Sequence, residues 1–213
     1  MTERLDLFAT PLLKAHLPDS DAVNAALLDA ITARRTEESG INRSNLGGWH
    51  SDIGMTAWAG EPSHRLAEWA VATASEHMVD IAAAGKRKFN WGIDMWANVN
   101  RPGDANQLHC HNGSFWSGVY YVDPGGADQP DAGGELIIED PRFPTAYMTV
   151  ADLVFRGPDG EPVRSQYAIR PEAGMLVLFP SWVRHSVQPH RGDRERVSVA
   201  MNLLLTGAPP EDS

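Results

Sequence analysis

Cysteine is almost missing: Cys110 stands alone among 213 residues. A disulfide framework within the chain is therefore impossible, and nothing in the thiol content points to an oxidising compartment. Basic residues are scarce too. Eighteen Lys and Arg face 28 Asp and Glu, a formal net charge of −10, which argues against a phosphate-binding surface and so against nucleic acid as a partner. No stretch reaches the roughly 18 consecutive apolar residues of a membrane helix. The start, "MTERLDLFATPLL", lacks the basic residues and apolar run of a signal peptide. Internal repeats and low-complexity linkers are absent as well. The expectation is a cytoplasmic protein with no membrane partner; a homo-oligomer stays open.

What is present is a chain 42 % hydrophobic, enough for a single domain over 1–213. Residues 21–35 carry Val23, Leu27 and Ile31 at steps of four, which predicts a helix with Ser20 as N-cap. A second helix is predicted over 63–84, with Leu66, Trp69, Ala70, Thr73 and Ile81 on one stripe, Pro62 in its first turn and Gly85 at its C-cap. From residue 89 the period changes to two. "FNWGIDMWANVN" alternates, and strand-like runs follow at 117–122, 134–139, 163–169, 174–179 and 196–205, separated by "DPGG", "DAGG", "GPDG" and "RPEAG" turns. Helices first and strands after predict an α+β, mainly β fold. The strand count fits a double-stranded β-helix, or jelly roll, over 89–205, with 1–88 as a helical N-terminal part packing on it. Segment 140–163 reads as a functional loop or a hairpin excursion.

Chemistry-bearing residues collect in the second half. His109 and His111, two apart, would project to one side of a strand. His185 follows the apolar run Met175–Phe179. An i/i+2 pair plus one distant ligand can cap one face of an octahedral metal and leave the other face open for ligands. With eight histidines in the chain, a chance spacing in a solvated loop is the competing reading. Cys110, between the pair, would point the opposite way and serve packing. In "RVSVAMNLLL", Arg196, Ser198, Ala200 and Asn202 share one face, and Val197, Val199, Met201 and Leu203 the other. That suits a barrel strand whose inner face lines a polar pocket and whose outer face meets the helices. Arg196 on the inner face is suited to bind a carboxylate bidentately. Trp96, Phe115, Trp116 and Trp182 could line a pocket or peptide groove, whereas His16, His50, His64, His77 and His190 read as surface or packing residues.

Together these stretches resemble the 2-oxoglutarate/Fe(II)-dependent oxygenases, and within them a bacterial and phage branch. The resemblance runs through "LFATPLL" (7–13), "GWHS" (48–51), "HCHNGSFWSGVYYV" (109–122), "GGELIIEDPR" (133–142), "GMLVLFPSWVRHSV" (174–187) and "RVSVAMN" (196–202). It implies a double-stranded β-helix core and Fe(II) bound by His109, His111 and His185. It also implies that Arg196 and Ser198 hold the distal carboxylate of 2-oxoglutarate, with Tyr121 of "VYYV" on the same group. Asn98, on the polar face of the strand before the histidine pair, could bond the C1 end. The implied reaction is oxidative decarboxylation of 2-oxoglutarate to succinate with O₂, coupled to hydroxylation of a small-molecule or peptidyl substrate. One departure stands out: His-x-His replaces the superfamily's usual His-x-Asp. Two alternatives share the barrel, a three-histidine cupin and a binding protein without chemistry.

Overall fold

The computed structural model describes residues 3–79, 81, 90–127, 129, 131–142 and 153–207. Two antiparallel sheets oppose each other. The larger runs in the order β1 (Leu13–His16), β9 (Met175–Pro180), β6 (Trp116–Asp123), β11 (Arg196–Leu205), β4 (Trp91–Asn100) and β3 (Trp49–His50). The smaller runs β2 (Asn45–Leu46), β5 (Ala105–His109), β10 (His185–Val187), β7 (Leu136–Glu139) and β8 (Gln166–Ile169). This is the expected α+β, mainly β architecture, a double-stranded β-helix.

Period-two patterning sorts the side chains of the larger sheet. On β11, Val197, Val199, Met201 and Leu203 join Leu27, Ile31, Leu66 and Ala70 in one apolar core, so this face meets α1 (Ser20–Glu37) and α3 (Glu61–Glu76). Tyr120 links the layers: its hydroxyl donates to Asn24 Oδ1 at 2.7 Å, and its ring meets Trp69 edge-on. On β9, Leu176 and Leu178 point to the helices while Met175, Val177 and Phe179 point between the sheets, where they pack with Leu136, Ile138 and Ile169. Burying an alternating strand on both sides fixes its register, because a slip of one residue would exchange the two faces.

Several elements differ from the sequence expectation. The N-cap of α1 is Asp19, in the left-handed region, and not Ser20. Ser20 instead enters the helix with its hydroxyl against Gly174, where an added Cβ would lie 2.5 Å from Oγ. α3 ends at Glu76, well before residue 84. Its buried stripe stops at Ala74, and the chain then turns so that Met78 Sδ accepts the Trp116 indole N–H at 3.2 Å. Ile81 is exposed, not on the stripe, and Gly85 lies outside the described residues. The N-terminal part is more than helices, since β1, β2 and β3 pair with β9, β5 and β4. A further short helix, α2 (Met55–Trp58), precedes α3. In the 140–163 segment, residues 155–163 form a tight reversal closed by Val163 N–H to Phe155 O at 2.8 Å; residues 143–152 lie outside the described residues.

Candidate active site

Antiparallel pairing puts His109, the last residue of β5, directly opposite His185, the first of β10. Such cross-strand partners share a face, and their ring centroids are 4.3 Å apart. His111 arrives differently. β5 ends at His109, so His111 is not on the strand. Its backbone N–H has left the ladder for Ser181 O at 2.9 Å, and its side chain is held from the opposite sheet. The outcome matches what the i/i+2 spacing predicts, by another route: the three rings lie within 5.1 Å of one another, centroid to centroid.

Hydrogen bonds on the far side of each ring decide which nitrogen faces inward. Nδ1 of His109 meets Gln107 O at 2.7 Å, Nδ1 of His111 meets Asn202 Oδ1 at 2.6 Å, and Nδ1 of His185 meets Val183 O at 3.0 Å. All three partners are oxygens that only accept, so each Nδ1 carries the proton and each Nε2 presents a lone pair. One donor atom from each residue comes within 4.8 Å of the others. His111 Nε2 is buried with no hydrogen-bond partner, a cost that an electron-pair acceptor at the centre would remove.

Electrostatics reinforce the neutral state. Burial, then the neighbouring His109, hold His111 down to about 4 and His185 to about 3, against smaller opposing effects of the Asn202 and Val183 hydrogen bonds. Burial lowers His109 as well. Trp96 stacks on His111, and Phe179 packs against His185, so aromatic rings wall the cluster and keep its dielectric low. Neutral imidazole is the form that ligates a metal.

The same cavity continues to the inner face of β11 and β4, reaching Arg196, Ser198 and Asn98. Arg196 is 1 % exposed. One of its terminal nitrogens donates to Asn100 Oδ1 and Ser198 Oγ, both at 3.2 Å, and the guanidinium lies over the Tyr121 ring, 5.2 Å from its centroid. No acid pairs with it among the described residues. Two further buried groups here lack partners, Arg196 Nε and the Tyr121 hydroxyl. Burial pushes the Tyr121 phenol up, Arg196 only partly offsetting it, so the hydroxyl keeps its proton. A buried permanent cation with no acidic partner among the described residues is suited to bind an anion.

All seven residues singled out from the sequence, His109, His111, His185, Asn98, Tyr121, Arg196 and Ser198, thus gather around one interior. Of the four aromatic candidates, Trp96 lines the cavity. Trp116 does not; it is buried on the helix side of the sheet, because it occupies an outward position of β6. Phe115 and Trp182 are surface residues, about half exposed. Cys110 is half-buried, outside the histidine cluster, with Sγ 3.6 Å from Asn112 Oδ1. Sequence reasoning missed Asn202, whose Oδ1 accepts from both His111 and Ser117 Oγ. Its signal was its place on the polar face of β11. Asn100 was missed too; its signal is register, since it pairs with Arg196 across β4 and β11.

Comparisons with known proteins bear on the family and the fold. A family profile described as "Putative 2OG-Fe(II) oxygenase" matches residues 94–202. No curated protein matches. Among solved structures, a Pseudomonas putida prolyl-4-hydroxylase is 20 % identical, with a TM-score of 0.62 over 93 % of this chain and 94 % of its own. A Trichoplax adhaerens prolyl hydroxylase, in complex with a hypoxia-inducible-factor oxygen degradation domain peptide fragment, is 15 % identical, with a TM-score of 0.62 over 91 % and 83 %. HygX from Streptomyces hygroscopicus, with nickel and 2-oxoglutarate bound, is 12 % identical, with a TM-score of 0.60 over 92 % and 83 %. At these identities the structures speak for the shared double-stranded β-helix. The profile, spanning just over half of the chain and both ends of the cavity, goes further: this protein belongs to the 2OG-Fe(II) oxygenases, enzymes that work with Fe(II) and 2-oxoglutarate.

Proposed function

We propose that the protein is a hydroxylase in which His109, His111 and His185 hold Fe(II), and Arg196, Ser198 and Tyr121 hold the distal carboxylate of 2-oxoglutarate. The observation that carries this reading is the buried, acid-free guanidinium of Arg196 at one end of a cavity whose other end presents three convergent imidazole lone pairs. A three-histidine metal site by itself does not account for that cation. The donor set fits the metal: neutral imidazoles suit iron among other transition metals, and His111 Nε2 is an orphan awaiting an acceptor. Iron, when bound, supplies the activation of O₂ that lets 2-oxoglutarate be decarboxylated to succinate as substrate is hydroxylated.

The chain's own residues bind, orient and exclude water. Arg196 neutralises the far carboxylate, and Ser198, already bonded to Arg196, fixes the guanidinium plane. The protonated Tyr121 donates to the same group. Asn98, lining the cavity between the two ends, is placed to bond the C1 end. With three neutral ligands, the protein leaves the full charge of the metal to its anionic ligands. That makes this site more dependent on a dianionic cosubstrate than one with His-x-Asp.

The substrate is peptidyl or a small molecule. A wide groove lies between the N-terminal segment, near Thr10 and Leu12, and β8, near Gln166 and Tyr167, and Phe179 lines both this groove and the histidine cavity. An open groove of this kind admits an extended chain. Adding 2-oxoglutarate to the anaerobic Fe(II) protein should raise a metal-to-ligand charge-transfer band in the visible. Absence of the band with iron bound would refute the assignment of cosubstrate.

A further inference from the structure

The anion site has a second layer that the proposed function does not use. His190 is 1 % exposed, as buried as the arginine. Its backbone ties two loops: the N–H donates to Asp104 O at 2.9 Å, and the carbonyl accepts from Gly103 N–H at 2.7 Å. Its ring is enclosed by glycines. A Cβ on Gly125 or Gly192 would come within 2.9 Å or 2.7 Å of Cε1. On the ring, Nε2 lies 2.6 Å from Arg194 O. A carbonyl can only accept, so the proton sits on Nε2 and Nδ1 presents a lone pair. That lone pair has no partner.

Arg196 offers the complementary orphan. Its Nε–H is a buried donor without an acceptor. Both orphans border one spot, the notch where Gly134 has no side chain. A Cβ placed there would lie 3.4 Å from His190 Nδ1 and 3.5 Å from Arg196 Nε, with Arg196 Cδ at 3.2 Å. Gly134 is at φ +72, a left-handed conformation that glycine adopts without strain. A buried acceptor and a buried donor border one notch, and a single water taking the Nε–H and giving to Nδ1 would link them across it.

We infer that His190 is a positioning residue for Arg196: through Nδ1 it fixes the Nε side of the guanidinium and so orients the remaining N–H groups toward the carboxylate. This rests on the 2-oxoglutarate reading. It predicts that the two functions of the ring can be separated. His190→Gln can place an amide N–H near Nε2 and keep the bond to Arg194 O, but has no acceptor at Nδ1. His190→Asn can place an oxygen near Nδ1 but loses the bond to Arg194.

The test is calorimetric titration of 2-oxoglutarate into Ni(II)-loaded wild type and both variants, with a thermal midpoint for each. Wild-type binding that Arg196→Ala weakens establishes the underlying reading, and no wild-type binding overturns both. Given that binding, His190→Gln should keep a midpoint near wild type yet bind 2-oxoglutarate about tenfold more weakly, the loss expected for one hydrogen bond to a charged group. His190→Asn should lower the midpoint yet bind within about threefold of wild type, less than the effect of a whole hydrogen bond. If affinity instead follows the midpoint across the variants, or neither variant changes it, His190 merely staples the loops and the inference is wrong.

Discussion

At the β5–β10 end of the cavity, three imidazoles turn lone pairs inward, and the unmet group is an acceptor, His111 Nε2. At the β11–β4 end the unmet group is a donor, the Tyr121 hydroxyl, beside the permanent cation of Arg196, whose Nε–H the His190 link would engage. Each end is unfavourable in isolation, because burying a polar group without a partner costs about 1–3 kcal/mol and a charge more. The demands are opposite in sign, so no single simple ion meets both. A cation at the first end and an anion at the second do, and a chelating dianion that reaches from metal to guanidinium joins them. The comparison therefore says more than either end would alone.

The sharpest way to break it is at the metal end. His185→Ala should reduce affinity for Fe(II), or for Ni(II) as a redox-stable stand-in, by more than about a hundredfold, beyond the loss seen for outer-layer changes at metal sites. 2-Oxoglutarate binding in the presence of metal should fall with it, since its chelating end loses its anchor. A metal titration that found His185→Ala as tight as wild type would remove the histidine cluster from the site.

At the other end the effect should be one-sided. Truncating one partner of a buried charge pair costs about 2–5 kcal/mol, so Arg196→Ala should weaken 2-oxoglutarate by tens to thousands of fold while Fe(II) affinity stays near wild type. Arg196→Lys should recover only part, because an ammonium cannot make the two-pronged contact. Equal cosubstrate affinity in wild type and Arg196→Ala would sink the anion assignment.

Acid should also tell the ends apart. The folded-state pKa values of His111 and His185 lie far below the usual histidine value, at about 4 and about 3. Between roughly pH 6.5 and those values the unfolded chain takes up protons that the folded chain refuses, so stability falls as pH falls. Each such group contributes about 1.4 kcal/mol per pH unit at most, or about 2 kcal/mol by pH 5, and less together because the rings are coupled. Arg196 does not titrate in this range. In urea melts of metal-free protein, His185→Leu should flatten the acid loss between pH 6.5 and 5, and Arg196→Met should not. The opposite pattern would contradict the neutral-imidazole description.

How much of this was readable in the chain differs between the sheets. β11 is observed over the ten residues its alternation outlines, and its inner and outer faces are as the pattern assigns them. A long period-two run buried on both sides leaves little freedom. β2 and β3 are two residues each and β10 is three, too short to show any period, and they exist because longer neighbours offer them partners. The same reason explains Asn202. Position alone put it on the pocket face, but its task depends on which histidine folds over it, and that is set by the chain leaving β5 after His109 and by the bond from His111 N–H to Ser181 O.

Asn202 supplies a smaller test. Its Oδ1 is the hydrogen-bond partner of His111 Nδ1 among the described residues, and loss of such partners typically costs about 10–100-fold in metal affinity. Asn202→Leu should lose metal affinity in that range, while Asn202→Asp should hold or raise it, because a carboxylate is the stronger acceptor and adds negative charge near the metal. Ser117 also bonds Asn202 Oδ1, so Ser117→Ala should follow Asn202→Leu only weakly. If Asn202→Leu titrates with metal as wild type does, His111 is oriented by packing on Trp96 alone.

The smallest expected effect belongs to the residue closest in sequence to the ligands. Cys110 sits between His109 and His111, and thiolate is a strong ligand for soft metals, so a thiol there could be expected to compete for the ion. The chain prevents it at the end of β5. His109 is the last paired residue and faces His185, so the next residue leaves on the other side of the strand. His111 is then drawn back under the sheet by Ser181 O and Asn202, while Cys110 Sγ lies toward Asn112. Cys110→Ala should accordingly keep metal affinity within about twofold, the scale of an ordinary surface substitution of up to ~0.5 kcal/mol. The Co(II)-loaded protein should show no sulfur-to-metal charge-transfer absorption in the near ultraviolet. Such a band in wild type, lost in Cys110→Ala, would mean that the metal leans toward the thiol and that the turn after His109 is looser than its hydrogen bonds imply.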